Sequence, residues 1–277
     1  MTTFAPETDR SGATATPVAG PTPEAVVEDD KQATPSVMKA LQLLDAFRGA
    51  AGGVLGVSEI ARRAGVPKST AFRLLTHLEH GGYVERIGRD YCLGRHLFEL
   101  GNSVPLCRPR GLRDVAAPHL GQLLVRTQRL VNLAVLEGTE VVYLEKIQGH
   151  DAVQVASTVG GRMPASCSAL GKAMLAFSGR DAIRAVLDGG LVRRTRYSVA
   201  DPARFLQELS RVHADGVAFD REEIQLGLVC AAVPVLDAAG RAVAAISVSG
   251  PATRFNPATV VAEVRSAAEA IGRDYRG

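Results

Sequence analysis

A helix-turn-helix pattern between residues 57 and 80 constrains the fold of this chain more than any other part of its sequence. Residues 57–64 have the pattern of a short helix that is capped by Ser58 and ends at Gly65. Pro67 opens a second helix, because its fixed φ and missing N–H suit a first helical position. At about 100° per residue, one side of this helix carries Ala71, Leu74, Leu75 and Leu78, and the other carries Ser69, Arg73, Thr76 and His80. The pattern predicts one buried face and one face free to contact a partner.

The flanking segments complete a small domain. An amphipathic helix is expected from Ser36, with apolar residues at helical spacing as far as Phe47, and residues 49–56 form a glycine-rich connection. After Gly81 and Gly82, two short strands over 83–87 and 91–93 flank a turn at residues 88–90. This hairpin is the candidate wing of a winged helix-turn-helix.

Charge is divided unevenly along the N-terminal part of the chain. Residues 1–35 are rich in Thr, Ala and Pro and carry six acidic against two basic residues, so we expect a disordered tail. Residues 58–95 carry seven basic against four acidic residues. The excess of positive charge therefore lies on the helix-turn-helix and the hairpin.

Composition excludes several classes of protein. The 277 residues are 46% hydrophobic and 22% charged, which suits a cytoplasmic globular protein of two domains. No apolar run approaches the ~18 residues of a membrane span, and the N-terminal residues lack the basic segment followed by an apolar one that is typical of a signal peptide. The four cysteines lack the spacing of a zinc site or a disulfide framework, so we expect reduced thiols, no metal and no cofactor.

The second half predicts a separate α+β domain. A connecting helix over 95–103 leads to a boundary near Leu106. Helices are expected over 112–126, from about 168, over 202–214 and over 256–274. Strands are expected over 131–136, 141–147, 228–235 and 243–249, with an irregular segment from Gly160. Strands interleaved with helices and ending in a hairpin favour an antiparallel sheet covered by helices.

The exposed helix face suits double-stranded DNA, because a helix of this kind fits the major groove. Arg73 can form paired hydrogen bonds to guanine, and Lys68 is better placed for phosphate. The candidate DNA-contacting residues are Ser58, Lys68, Ser69, Thr70, Phe72, Arg73, Thr76, Arg86 and Arg89. The alternative is that these side chains form a solvated helix face and that Arg86 and Arg89 only add solubility.

Motifs along most of the chain resemble the isocitrate lyase regulator (IclR) family of bacterial transcription factors. In the first half they are SVMKALQLLDAF at 36–47 and SEIARRAGVPKSTAFRLL at 58–75. In the second half they are GGRMP at 160–164, ALGKAMLA at 169–176, DGVAFD at 215–220, GLVCAAVPV at 227–235 and AAISVSGP at 244–251. The resemblance covers about residues 36 to 271 and leaves out the tail.

We therefore expect four parts: the disordered tail over 1–35 and, as the resemblance implies, a winged helix-turn-helix over 36–94, a linker helix over 95–106 and a GAF/PAS-like effector-binding domain over 107–277. The resemblance also implies dimers or dimers of dimers on palindromic operators, and a repressor or activator that responds to a metabolite. By motif position, the effector site would contain Ala169, Leu170, Gly171, Leu228, Cys230, Ser247 and Ser249, with Asp220 on its rim. Amide groups at a helix start beside Ala169 favour an organic acid.

Simpler interpretations stay open for several of these residues. Cys230 lies in an apolar strand and is more often a buried structural thiol. Cys167 has no histidine and acid arranged beside it in sequence as a nucleophile would need, and Lys172 lacks the glycine and hydroxyl pattern of a phosphate loop. Ser247 and Ser249 share one face of a strand, which lies either in a pocket or in solvent.

The residues therefore predict a regulator without catalytic activity, with a repressor expected and an activator as the alternative. An enzyme with an accessory DNA-binding domain and a protein-binding module remain competing hypotheses. In the regulator, the effector would favour one of two dimer arrangements, and the helix near residues 97–100 would transmit the difference to the DNA.

Overall fold

The computed structural model describes residues 35–107, 110–149, 155 and 157–275. The predicted disordered tail, apart from Pro35, lies outside the described residues. The first helices are α1 (Ser36–Asp45), α2 (Val57–Ala64) and α3 (Lys68–His80). A 3-10 turn (Ala51–Gly53) precedes strand β1 (Val54–Gly56), and the hairpin consists of β2 (Val84–Ile87) and β3 (Asp90–Leu93).

The three helices and the small sheet share one apolar core. It is built from one face of each helix and from strand residues, among them Leu43, Ile60, Ala71, Leu75 and Tyr91. The helix α2 ends where Gly65 adopts φ +66°, a left-handed conformation that closes the helix and that glycine tolerates best. The predicted helix-turn-helix and hairpin are therefore confirmed.

Three local expectations for this region were wrong. The glycine-rich connection contains β1, which pairs with β3 and makes a sheet in the order β1-β3-β2. The residue that caps α2 is Gly56, and Ser58 lies inside the first turn without a capping role. Asp90 pairs with Ile87 as part of β3, so the turn of the hairpin contains only Gly88 and Arg89.

Helix α4 (Arg95–Asn102) follows the hairpin and contains no buried residue. Its start is fixed by the backbone, because the Gly94 N–H donates to the Tyr83 carbonyl over 2.8 Å. The predicted connecting helix is thus present, one residue shorter at its C-terminal end than the sequence pattern indicated.

The remainder of the described chain is built on a six-stranded antiparallel sheet in the order β6-β5-β4-β9-β8-β7. The strands are β4 (Leu130–Glu137), β5 (Glu140–Ile147), β6 (Arg162–Pro164), β7 (Ala218–Arg221), β8 (Leu228–Leu236) and β9 (Ala242–Pro251). The helices are α5 (Leu112–Thr127), α6 (Ala169–Ala176), α7 (Arg180–Asp188), α8 (Pro202–Asp215) and α9 (Val261–Asp274). This is the predicted α+β architecture.

Two apolar clusters cover the two faces of this sheet. On one face, α5 and α9 pack through residues such as Leu120 and Val264 against Leu133 and Ile246. On the other face, α6 and α8 pack through residues such as Met174 and Phe205 against Cys230 and Ala245. The central strands are buried from both sides, which explains why β8 and β9 are almost continuously apolar.

Several elements differ from the sequence expectations. The segment from Gly160 contains β6 and a 3-10 turn (Ala165–Cys167), and both α7 and β7 were missed. The last helix starts as a 3-10 turn (Pro257–Val260), where the Asn256 side chain accepts a hydrogen bond from the Ala258 N–H. Within the described part of the chain, no helix has both the length and the apolar character that a membrane span requires.

Candidate functional site

The exposed face of α3 is the first candidate site. Ala71, Leu74 and Leu75 are buried in the core. The opposite side points to solvent with Lys68, Ser69, Phe72, Arg73 and Thr76, and Thr70 is half-buried. The Thr76 hydroxyl donates to the Phe72 carbonyl over 3.1 Å, so Thr76 already has one partner within the helix. This helix thus presents an arginine, a lysine and two hydroxyl-bearing residues on one accessible surface.

Both basic residues of α2 are engaged by a carboxylate. Glu59 accepts hydrogen bonds from Arg62 at 2.6 Å and from Arg63 at 2.7 Å. These hydrogen bonds, the one from Arg62 having the larger effect, lower the pKa of Glu59 to about 2. Arg63 also donates to the Ala46 carbonyl and so links α2 to the end of α1. Ser58 is exposed on the same short helix.

The hairpin presents its two arginines differently. Arg86 donates to the Gly88 carbonyl over 3.1 Å and lies 5.9 Å from the centre of the Tyr91 ring. Arg89 is exposed in the turn itself. Arg86 is therefore partly held by the hairpin, whereas Arg89 is available at its tip.

The second candidate site is an enclosed cavity of about 20 Å³ between the sheet and the start of α6. Strand pairing brings its polar residues together, because Asp220 on β7 pairs with Cys230 on β8, which pairs with Ser249 on β9. One step along, Asn132 on β4 pairs with Ser247, and its Nδ2 donates to the Ser247 Oγ over 3.2 Å. The cavity has room for about one water molecule, so a larger ligand enters only when lining side chains move.

Most predicted effector residues meet at this cavity. The lining includes Ala169, Leu170, Asp220, Leu228, Cys230, Ser247 and Ser249. Asp220 is not on a rim, because it is only 1% exposed. Ser247 and Ser249 are also buried, so their shared strand face lies towards the cavity and not towards solvent.

Gly171 stands behind the lining and does not face the cavity. Its N–H donates to the Ser168 Oγ over 3.0 Å, which caps α6. A side chain at this position would lie 2.2 Å from the Ala165 carbonyl oxygen, so only glycine permits the close approach of the two backbones. The role that the structure gives to Gly171 is to position α6.

About half of the cavity lining was not predicted from the sequence. The additional residues are Leu130, Asn132, Tyr143, Val155, Ser157, Met163, Ser168 and Ile224. Asn132 could have been proposed from the sequence, because it is a polar residue within the apolar strand LVNLAVLE. The Asn132 Oδ1 and the Ser157 Oγ are buried without a hydrogen-bond partner among the described residues, and a polar ligand would satisfy them.

Burial controls the protonation of the groups around the cavity. Loss of water raises the pKa of Asp220 to about 7, although N–H groups of Glu223 and Ile224 donate to its Oδ1 at 2.7 and 3.4 Å and oppose the shift. Burial likewise raises the pKa of Cys167 to about 12 and raises the pKa of Cys230 and of Tyr143. The thiols are therefore neutral at physiological pH.

A buried ion cluster lies beside Asp220. The Lys172 Nζ is 2.5 Å from Glu208 Oε1 and 2.6 Å from Glu223 Oε1. Burial acts to lower the pKa of Lys172, but the two carboxylates outweigh it and raise that pKa. Lys172 thus joins α6 to α8 and to the loop after β7, which supports the structural interpretation of this residue.

Other features of the described chain offer less to a ligand. An open groove of about 1170 Å³ runs beside the β8-β9 turn and α9, but none of the predicted site residues lines it. Among the residues that the structure describes, no cluster of three or more His, Cys, Asp or Glu side chains could hold a metal ion. The enclosed cavity, with its buried polar groups, remains the better candidate.

Comparison with known proteins agrees with this arrangement. A family model described as the IclR helix-turn-helix domain matches residues 36–88, and one described as the bacterial transcriptional regulator IclR C-terminal domain matches residues 107–273. The chain is 31% identical over 250 residues to the transcriptional repressor IclR of Escherichia coli, covering 87% of this chain and 90% of that protein. It is 34% identical over 226 residues to the regulator XynR of the same organism, covering 80% and 88%.

Solved structures show the same similarity. An IclR homologue from Microbacterium hydrocarbonoxydans, complexed with 4-hydroxybenzoate, superposes with a TM-score of 0.80 at 31% identity, covering 87% of this chain and 99% of that one. The IclR protein of Thermotoga maritima superposes with a TM-score of 0.73 at 30% identity, covering 87% and 98%.

Proposed function

The chain belongs to the IclR family of bacterial transcriptional regulators, and from this premise we propose that it represses a metabolic operon by binding a palindromic operator under the control of a small organic acid. It is a DNA-binding transcriptional regulator, as its relatives' names and its two matched domains indicate, and a response to a ligand is consistent with the family. Repression, the operator symmetry, the class of effector and the residues that serve each site are our proposals.

The exposed face of α3 carries the DNA-binding proposal. Arg73 is exposed on that face and can read a guanine, while Lys68, Ser69 and Thr70 lie at the helix start, close to where a phosphate would pass. The other proposed contacts are Ser58 on α2, Phe72 and Thr76 on α3, and Arg86 and Arg89 on the hairpin. Arg89 at the tip is the hairpin residue best placed to reach DNA.

A dimer is proposed because apolar side chains stand in solvent on two helices of this region. Val37, Met38 and Leu41 form one exposed strip on α1, and Phe98 on α4 is 69% exposed. Exposed apolar patches commonly mark surfaces that bind a protein partner, and a second copy of the chain would match the symmetry of a palindrome. Pairs of such dimers remain part of the proposal.

The enclosed cavity is the proposed effector site. It brings hydroxyl groups of Ser168, Ser247 and Ser249 to the start of α6, where the first amide groups of the helix favour a carboxylate. A similar protein is known with 4-hydroxybenzoate bound, which makes an organic acid a reasonable class for this chain as well. The domain limits that we propose are 36–94 for DNA binding, 95–106 for the linker and 107–277 for the effector.

We also propose that the protein acts without catalysis and in the cytoplasm. A cysteine nucleophile needs a lowered pKa, whereas burial raises the pKa of Cys167 to about 12. The cytoplasmic location follows from the DNA partner. The effector would act by favouring one dimer geometry, which α4 transmits to the spacing of the two recognition helices.

A gel-shift titration tests the proposal. Purified protein is titrated against DNA from immediately upstream of its own gene, at two salt concentrations and with unlabelled random competitor. We expect specific binding that weakens steeply with salt, because each phosphate contact releases counterions. Sedimentation of the complex gives the number of chains bound. Absence of binding to any neighbouring DNA would contradict the proposal and favour a protein-binding module.

A further inference from the structure

We propose that the enclosed cavity binds a singly charged carboxylic acid together with one proton, which the carboxyl group of the ligand and the carboxyl group of Asp220 share. This inference rests on the proposed function, because it takes the cavity as the effector site. It adds the charge class of the effector and a dependence of its affinity on pH.

The charge of the cavity wall is the first argument. Asp220 is the one residue of the lining that carries a carboxyl group, and the described lining contains no lysine, arginine or histidine. Asp220 is 1% exposed, so water does not screen its charge. Two carboxylates held side by side away from water repel strongly, and one of them then keeps a proton. An acidic effector and an ionised Asp220 are therefore poorly compatible in this cavity.

Two lysines beside the cavity already have partners. The Lys172 Nζ contacts Glu208 and Glu223. The Lys146 Nζ, on β5, donates to the carbonyl oxygens of Val155 and Ser157 at 3.2 and 2.5 Å. Neither ammonium group is free to neutralise a second carboxylate without losing these bonds.

Apart from Lys172, which is already paired, the titratable groups that act on Asp220 or lie beside it are neutral or acidic. Tyr143 on β5 and Cys230 on β8 are neutral, because burial raises the pKa of each. The Cys167 thiol, in the turn before α6, is neutral for the same reason, and its charged neighbours include Arg194. Glu223, on the loop after β7, adds negative charge that raises the pKa of Asp220, and the positive charge of Lys172 lowers it, but burial is the largest cause and keeps that pKa raised. The surroundings as a whole favour a protonated Asp220 when an anion enters.

The hydrogen bonds of Asp220 determine where the proton would lie. Its Oδ1 accepts the N–H groups of both Glu223 and Ile224. An oxygen that accepts two N–H groups is a poor site for a proton, so the proton belongs on Oδ2 and is donated to the ligand carboxylate. Since burial raises the pKa of Asp220 to about 7, this proton is present on about half of the molecules near neutral pH.

Proton balance gives a defined pH dependence. Below the pKa of Asp220 the free protein already holds the proton, and binding takes up almost none. Above it, both carboxyl groups are ionised before binding, and one proton enters from solvent with the ligand. We expect uptake of about 0.1 proton at pH 6 and about 0.9 at pH 8, with Kd rising about tenfold between them.

The experiment begins with a panel of acetate, pyruvate, benzoate and 4-hydroxybenzoate, tested at about pH 6 by thermal shift. Calorimetry of the acid that binds, in phosphate and in Tris at the same pH, gives the number of protons taken up by the unsubstituted protein. Uptake near one proton at pH 8 supports the inference, and uptake near zero overturns it while leaving the effector site in place. If no acid of the panel binds, the proposed effector class fails, and this inference fails with it.

Two variants give a second readout. In Asp220→Asn the amide donates a hydrogen bond without needing a proton, so Kd for the same acid should change less than twofold from pH 6 to pH 8. The matched control is Asp181→Asn, an exposed position on α7, which should keep the tenfold change. A tenfold change retained in Asp220→Asn would assign the proton to another group and overturn the inference.

Discussion

The Lys172 Nζ lies 2.6 Å from Glu223 Oε1, and the side chains are only 0% and 7% exposed. Glu208, at 2.5 Å from the same ammonium group, completes the cluster. Buried charges of this kind are costly to separate, because the partner that remains has neither water nor a counter-charge. The position of α6, which forms part of the cavity wall, therefore depends on Lys172.

Substitution Lys172→Met should destabilise the fold strongly. We expect a loss of about 3 kcal/mol or more in the free energy of unfolding, since two carboxylates lose their cation. The matched control is Arg241→Met, which breaks an exposed pair with Asp237 and should cost less than about 1 kcal/mol. Urea unfolding measures both. Equal losses in the two variants would show that the buried cluster contributes no more than a surface pair.

Arg73→Ala should weaken operator binding by about 1 to 3 kcal/mol, because in the proposed complex a guanine would lose its paired hydrogen bonds. Effector affinity should stay unchanged, since Arg73 lies on α3 and the cavity lies in the sheet domain. Gel shifts on operator and on random DNA measure the effect, with Arg180→Ala on α7 as the control. Equal losses on the two DNAs would reassign Arg73 to a phosphate.

Arg89→Ala should lower the affinity for all DNA sequences by a similar factor. Arg89 is exposed at the tip of the hairpin, where a phosphate contact adds about one to the slope of log affinity against log salt. Titrations at several salt concentrations measure that slope. Arg184→Ala, an exposed arginine on α7, should leave it unchanged. An unaltered slope in Arg89→Ala would mean that the tip of the hairpin does not touch DNA.

How much of the fold could be predicted depends on how local each signal is. The helices α2 and α3 are encoded by periodicity, by Pro67 and by Gly65, all within a few residues of the elements that they define. Strand β1 contains only Val54–Gly56 and exists because it pairs with β3, more than thirty residues further along the chain. Such a strand has no pattern of its own, so the sequence alone could not reveal it.

The candidate site was predictable to a similar degree. Motif similarity led to Cys230, Ser247 and Ser249, and strand alternation placed the two serines on one face. The burial of Asp220 could not be foreseen, because it results from the pairing of β7 with β8 and from the loop that follows. Ser157 belongs to no helix or strand, and only the folded chain places it at the cavity. Residues that reach the site through long-range packing leave little local trace in sequence.

The raised pKa of Asp220 predicts a pH effect on stability without any ligand. Folding raises the pKa of this carboxyl from 3.8 to about 7, so between these values the folded state binds more protons than the unfolded state. The contribution of Asp220 to the free energy of unfolding is therefore fully present below pH 3.8 and is lost as pH rises towards 7. In Asp220→Asn the loss is absent. The free energy of unfolding of the variant should therefore rise relative to that of the unsubstituted protein by about 1.4 kcal/mol per pH unit in this range. This difference should level off above about pH 7.

Urea unfolding of the two proteins at about pH 5, 6, 7 and 8 measures this gain, because other titrating groups cancel in the difference between them. Asp181→Asn provides the baseline, since its carboxyl is exposed on α7 and should give a difference that does not vary with pH. A difference for Asp220→Asn that is equally constant would mean that Asp220 stays ionised in the folded protein, and the proton of the effector complex would then need another source.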